Sequence, residues 1–360
     1  MSSPAWKDLP VATKFTWLDP LSEPYRVSGF GWRPTEWPLR RLPYGRTVRA
    51  EVDDLANHTA GGQIRFISDS PVVAIKGRLS GLRQLDHMAA TGECGFDCYV
   101  AERGAVSYHA TGREVPDGLE FSYELFSAAT SVSREFTINL PLYQGVAELW
   151  IGLKPTAVVL APRAYASDER VIFYGTSITQ GGCATRPGMA YTNILSRRLP
   201  YEFVNLGFSG NGLGEPEVAD LVAEIERPGC YVLDYDANVS TASALGDSLA
   251  DFVRTLRRSQ PDTPIVVLSR PQRSTERYDA KLRCRREDGE RIIDTVVSEL
   301  RSTGVEGLHS FRGSELYGAD FPELTVDGVH PSDAGFLRIA DALTPVICRL
   351  MGGNAIRDHA

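Results

Sequence analysis

Residues 171–174 read Val-Ile-Phe-Tyr and run into Gly175-Thr176-Ser177. An uncharged stretch of β-branched and aromatic residues is the pattern of a buried strand. Gly175 breaks that pattern, and a serine two positions later can be lifted above the sheet edge. In open α/β sheets that edge is where ligands bind. The alternation that starts here continues to the C-terminus. Strand signals at 170–174, 202–206, 230–235 and 265–269, with a shorter one near 306–311, are separated by helical stretches near 188–199, 215–226, 241–258 and 276–302. A last helix is expected over 332–350. Val218, Leu221, Val222 and Ile225 share one helical face, and acids fill that helix's first turn, where the helix dipole favours them. Gly289 is expected to interrupt the long polar helix, and Pro331 suits the first turn of the last one. Such alternation predicts a parallel sheet with helices on both faces. Ser177, the Gly-rich turn at 207–214 and Asn238 each follow a strand, so all three fall at one sheet edge.

The first half of the chain has a different texture. TVRAEV, GGQIRFIS, PVVAIKGRL, FDCYVAE, REFTINLPL and AELWIGL are short β-rich runs between Gly, Pro, Asp and Ser clusters. Phe136, Ile138 and Leu140 share one face, as do Leu149, Ile151 and Leu153. Many short strands with turn signals between them predict an antiparallel β-sandwich over 46–160. Residues 1–45 are expected to form an irregular arm with short strands packed on it. Two prolines and several small residues in 155–169 mark a passage, with 161–169 as the linker and 170–360 as the second domain.

A serine hydroxyl is a poor nucleophile until a base takes its proton. The candidate base stands far downstream, in Thr-Val-Asp-Gly-Val-His-Pro at 325–331. One loop turn can set the Asp327 carboxylate against one ring nitrogen of His330, leaving the other to face Ser177 in the required tautomer.

The serine segment and this Asp-x-x-His segment together resemble the SGNH (GDSL-type) hydrolase family. NLGFSGNG at 205–212 is similar to that family's second block and LDYDANVS at 233–240 to its third. The resemblance implies a flavodoxin-like three-layer α/β/α domain with Ser177, Asp327 and His330 as catalytic triad. It also implies an oxyanion hole formed by the Ser177 and Gly210 N–H groups and the Asn238 amide. Two departures stand out: Thr176 replaces the usual Asp before the serine, and Ala237-Asn238-Val239 replaces the usual Gly-Asn-Asp. Neither removes a group the chemistry needs. GFDCY at 95–99 and LPLY at 140–143 resemble the N-terminal jelly-roll-like sandwich of one subgroup, similar to a carbohydrate-binding module. That subgroup includes carbohydrate and lipid esterases and polyketide-tailoring acyltransferases of the salicylyl type. The sandwich is expected to supply one wall of the substrate pocket, since ligand sites often form between domains.

Composition narrows the partners. A net charge of −8 argues against a nucleic-acid-binding surface. No apolar run approaches the roughly 20 residues of a membrane span. The N-terminus lacks a basic stretch followed by an apolar core, so a cytoplasmic location is expected. Six cysteines in a chain of 360 residues do not make a disulfide scaffold, and Cys94 and Cys98 lack companions at zinc spacing. The Gly-rich run at 207–214 does not fit a dinucleotide fingerprint, so no metal and no cofactor is expected. The expected partners are a small ester or thioester acyl donor, acyl-CoA among them, and water or an alcohol as acceptor. Thr176, Arg186 and Arg270 are candidate substrate contacts. Arg273 belongs with them as another loop arginine after a strand; solvated surface is the competing reading for the arginines. His58, His87, His109, His309 and His359 have no partner at useful spacing and are expected to be structural or surface residues. A non-catalytic carbohydrate-binding protein with a relic hydrolase domain is the alternative from another class.

Overall fold

The computed structural model describes residues 15–82, 84–112 and 118–352. The reading of the N-terminus at 1–14, and His359, lie outside these residues. The first half is built from β1 (Thr16–Leu18), β2 (Arg26–Ser28), α1 (Ala50–Leu55), β3 (Gln63–Ser68), β4 (Val72–Leu79), α2 (Ala90–Glu93), β5 (Asp97–Glu102), β6 (Ala105–Thr111), β7 (Glu120–Ser127), β8 (Arg134–Asn139), β9 (Val146–Leu153) and β10 (Val159–Leu160). One sheet runs β1-β9-β4-β7 and the other β10-β3-β8-β5-β6, with β2 also on β3. All pairs are antiparallel. The sheets face each other across one apolar layer, in which Phe66, Phe136 and Ile138 belong to the same core as Ile75, Leu149 and Ile151. The alternating residues named from the sequence, Phe136, Ile138, Leu140, Leu149, Ile151 and Leu153, are all buried. This is a β-sandwich, and the arm contributes strands β1 and β2 to it.

One segment differs from its reading. TVRAEV was expected to be extended, yet α1 is helical from Ala50. Val48, Val52 and Ala56 recur every four residues, and Val52 and Ala56 are fully buried. A helix puts these three on one edge and turns Asp54 to solvent, whereas a strand would place Asp54 on the same buried face.

The second half comprises β11 (Arg170–Gly175), α3 (Ser177–Gln180), α4 (Tyr191–Arg198), β12 (Glu202–Gly207), α5 (Pro216–Glu224), β13 (Pro228–Asp234), α6 (Ala242–Ser259), β14 (Ile265–Leu268), α7 (Ala280–Ser302), β15 (Leu308–Phe311) and α8 (Asp333–Leu350). Its five strands are parallel, in the order β12-β11-β13-β14-β15. The chain leaves β11 toward one side of the sheet and returns to β13 on the other, so the switch point lies between these two strands. Helices α5, α6 and α7 cover one face and α4 and α8 the other. The long helix does not break at Gly289. It starts later than expected, at Ala280, and runs to Ser302. Gly289 is there for contact: a Cβ would come within 2.8 Å of the Asp236 carboxylate. The last helix is capped by Ser332, one residue after Pro331.

The two halves share their cores. Leu42, Val52 and Ala56 join the layer under α5 and α6, while Met88, Leu142 and Tyr143 join the layer under α4 and α8. Arg41 is fully buried at this junction. Its guanidinium donates to the carbonyls of His58 at 2.8 Å, Leu55 at 2.7 Å and Gly207 at 2.6 Å. With the Asn205 carbonyl at 3.3 Å as a fourth acceptor, these bonds offset the cost of burying the charge.

Candidate active site

Strand β11 ends at Gly175, and the chain turns at once into α3. Thr176 caps this short helix by accepting from the Ile178 N–H at 3.2 Å. Ser177 therefore sits at the first helical position, directly above the switch point. Asp234, the last residue of β13, holds the turn from below: its carboxylate accepts from Thr179 at 2.9 Å and from Tyr191 at 2.8 Å. Burial pushes the Asp234 carboxyl up to about 7 against those two hydrogen bonds.

His330 reaches Ser177 from the loop before α8. His330 Nε2 lies 2.9 Å from Ser177 Oγ, and His330 Nδ1 lies 2.7 Å from Asp327 Oδ2. The other Asp327 oxygen accepts from the N–H groups of Val329 at 2.9 Å and His330 at 2.7 Å. The carboxylate thus folds its own loop and orients the ring. Burial raises the Asp327 carboxyl, but the hydrogen bonds from the His330 ring and from the His330 and Val329 N–H groups outweigh it and bring it down to about 2. An ionised carboxylate requires a hydrogen on Nδ1, so Nε2 carries the lone pair that faces the serine. The dyad stays open to solvent: the Asp327 side chain is 33% exposed and that of His330 19%.

Two further turns border Ser177. After β12, Gly210 adopts φ +69°, a left-handed conformation that favours glycine, and open space surrounds the position of a Cβ. After β13, Asn238 ends a short turn from Asp236. The surroundings of Asn238 set its amide. With the oxygen turned toward the Gly210 turn, it accepts from the N–H groups of Asn211 and Gly212, both at 3.1 Å. Among the described residues, the N–H groups of Ser177 and Gly210 have no hydrogen-bond acceptor. A helix start and a left-handed turn leave such donors for a ligand oxygen.

The remaining named residues are engaged elsewhere. Thr176 is fully buried under its cap. Arg270 holds the Asn238 loop: its N–H meets Asp236 Oδ2 at 2.8 Å, and its guanidinium reaches the Val239 carbonyl at 3.0 Å. Arg285 meets the same Asp236 carboxylate at 2.8 Å. Arg186 binds Asp97 at 2.8 Å and the Tyr99 hydroxyl at 2.6 Å, and stacks over Tyr108. Asp97 is wholly buried and also accepts from the Gly188 N–H and from Asn139. The GFDCY segment is thus the clasp between the halves. Arg273 is half-buried beside the His330 loop and feels the Asp327 charge.

Three residues near the centre carry no local signal in the sequence. Tyr143 donates from its hydroxyl to the Ser177 carbonyl at 3.2 Å. The His87 ring lies 5.5 Å from that of His330, centre to centre. Cys183, at φ +72°, donates to the His87 carbonyl, and burial, with the Asp327 charge, pushes its thiol up to about 12. Potential ligand atoms of His87, Cys183, Asp327 and His330 lie within 4.8 Å of one another. Asp327 and His330 are already bound together, so a cation there would compete with the pair rather than assist it. Among the described residues, no helix is long and apolar enough to cross a membrane.

A cavity of about 530 Å³ opens between the halves, lined by Leu55, His58, Tyr143 and Gln144 on one side and by Ser209 and Asn211 of the Gly210 turn on the other. A second recess of about 630 Å³ includes Arg170 and Glu202, the first residues of β11 and β12. It lies at the opposite sheet edge, away from the serine.

Comparison with known proteins agrees with this architecture. The pattern of the GDSL-like Lipase/Acylhydrolase family matches residues 168–348, and that of the N-terminus of SGNH-hydrolase-type esterases matches 15–159. No match is found among curated proteins. A Bacteroides ovatus structure described as a GDSL-like lipase is 32% identical, with TM-score 0.86 over 94% of this chain and 98% of that one. Two more distant structures share the fold. Salicylyl-acyltransferase SsfX3 from a tetracycline biosynthetic pathway is 18% identical, with TM-score 0.75 over 93% of this chain and 97% of its own. A family two carbohydrate esterase from Cellvibrio japonicus is 14% identical, with TM-score 0.62 over 94% and 98%. Sequence pattern, architecture and the 32% identical relative agree, and the chain belongs to the GDSL-like lipase/acylhydrolase family, with an N-terminal β-sandwich of the SGNH-esterase type.

Proposed function

We propose that this chain is a serine esterase that works through an acyl-serine intermediate. The observation that carries the reading is the unbroken chain from Ser177 Oγ to His330 Nε2 and from His330 Nδ1 to Asp327. His330 Nε2 takes the hydroxyl proton as Ser177 Oγ forms a bond to the carbonyl carbon of an ester or thioester. Asp327 stabilises the imidazolium. The negative charge on the carbonyl oxygen is met by the Ser177 and Gly210 N–H groups and the Asn238 amide. The imidazolium proton then goes to the leaving alcohol or thiol as its bond to carbon breaks. In the second half, His330 deprotonates the incoming acceptor, which attacks the acyl carbon and releases Ser177.

Water is the acceptor in this reading. The solvent exposure of the dyad supports it, because water has access to the side chains that would activate it. A hydroxyl compound bound in the cleft would compete and make the enzyme an acyltransferase. The test is p-nitrophenyl acetate turnover by the wild type and by Ser177→Ala, with fluorophosphonate labelling of both. Stoichiometric labelling at Ser177, and loss of both signals in the variant, are expected. A Ser177→Ala protein with full turnover would contradict the assignment, and a wild type with neither signal would favour a non-catalytic binding protein. Donor loss to water at one rate whatever alcohol is added supports hydrolysis.

A further inference from the structure

His58 stands in the wall of the cavity that the sandwich half presents to the Gly210 turn. It is half-buried, and its partners fix which nitrogen carries hydrogen. Gln180 Oε1 accepts from the Ser209 N–H at 3.0 Å, so the Gln180 amide NH2 must face the other way. It donates to the Leu142 carbonyl and to His58 Nδ1, both at 3.1 Å. Nδ1 is therefore an acceptor, and the hydrogen sits on Nε2. Among the described residues, Nε2 has no hydrogen-bond partner. Desolvation, with the Arg41 charge behind it, pushes this imidazole down to about 4, so it stays neutral in ordinary buffers. The cavity has the volume of a small-ligand site. Among the described residues, the charged side chains lining it are carboxylates, Glu51 and Asp54 at the mouth and Glu93 behind them, with the Arg49 guanidinium bonded to Asn211 at 3.2 Å beside the mouth. Glu93 caps the N–H groups of Gln84 and Leu85, and Glu51 lies 3.4 Å from Arg49, while Asp54 has no ion pair among the described residues.

We infer that this cavity is a specificity subsite, in which the His58 Nε2 hydrogen is donated to an acceptor oxygen of an uncharged part of the substrate and the carboxylates at the mouth select against anionic groups. The inference rests on the acyl-serine reading and adds to it. It favours neutral, oxygen-bearing esters over phosphorylated donors such as acyl-CoA. A neutral donor with no protein partner gains a hydrogen bond only from a ligand that offers oxygen, and a phosphate would be brought toward like charge.

The test uses His58→Asn and His58→Gln. Asparagine carries its amide where Nδ1 was, keeping the link to Gln180 and removing the cavity donor. Glutamine reaches the Nε2 position and restores a donor. The readout is the ratio of kcat/KM for a monoacetylated hexose to that for p-nitrophenyl acetate. It is expected to fall by about three- to tenfold in His58→Asn, through KM, and to recover in His58→Gln, the size of one neutral hydrogen bond. The second arm compares the acetylated hexose with its phosphate ester. The wild type is expected to prefer the unphosphorylated compound, and Glu51→Gln combined with Asp54→Asn to narrow that preference. An unchanged ratio in His58→Asn, or equal loss on both esters, would overturn the subsite and leave His58 a brace for the Ser209 turn. A wild type that fluorophosphonate does not label would instead overturn the acyl-serine reading itself.

Discussion

His330 and His58 come from opposite halves of the molecule, and each is held through Nδ1. On the α/β side the partner is a carboxylate, 2.7 Å away, which only accepts. On the sandwich side it is an amide NH2, 3.1 Å away, which only donates. The first arrangement leaves a lone pair on Nε2 and makes a base. The second leaves a hydrogen on Nε2 and makes a donor. Identical side chains thus acquire opposite roles from the group behind them, and the role is set before any substrate arrives.

Changes on the α/β side have effects that follow how directly each touches the reacting atoms. Ser177→Ala removes what the base acts on and is expected to lower kcat by about 10⁶-fold, read from ester turnover with burst kinetics. Asp327→Asn is expected to cost about 10⁴-fold in kcat, because it gives His330 the same kind of partner that His58 has. An amide can donate to Nδ1 and move the hydrogen to Nε2, where it faces Ser177. Asn238→Ala leaves both imidazoles alone and removes one oxyanion donor, for about a 10²- to 10³-fold fall in kcat with little change in KM.

Weaker changes sharpen the picture. Arg270→Met frees the loop that carries Asn238 and leaves Asp236 with Arg285 as its remaining arginine partner. We expect a loss of about 3 kcal/mol in denaturant unfolding, the low end for a broken buried pair, and a smaller fall in kcat than Asn238→Ala gives. The smallest effect is on acid stability. Asp327 is held at about 2 in the fold, below its ordinary 3.8. The unfolded chain therefore takes up this proton first as pH falls, and the stability Asp327 contributes is full above 3.8 and lost on the way down to about 2. Asp327→Asn should accordingly lose less stability than the wild type across that window, measured by denaturant midpoints.

How far these features were legible follows from how local they are. Strands β11 to β14 are apolar runs, and Asp327 with His330 is one loop, so short windows of sequence contain them. Strand β7 also carries a period-two signal in Phe121, Tyr123 and Leu125, all buried. Strands β1 and β2 are three residues each, too short for any period. Strand β6 is exposed along much of its length and offers no apolar face to read. Thr47 and Val48 drew the following residues toward an extended reading, and only packing against the second half decides for a helix there. His58, Tyr143 and Asp97 take their meaning from partners in the other half, Gln180, Ser177 and Arg186. No spacing along the chain encodes such contacts. Arg270 illustrates the converse: its place after a strand suggested a ligand, yet burial against Asp236 makes it part of the scaffold.

Nitrogen-15 spectroscopy of the histidine rings, recorded at mildly alkaline pH, reports both tautomers in one experiment. We expect hydrogen on Nδ1 and a bare Nε2 for His330, and the reverse for His58. A His330 ring with its hydrogen on Nε2 would leave Ser177 facing a donor instead of a base, and would contradict the mechanism at its first step.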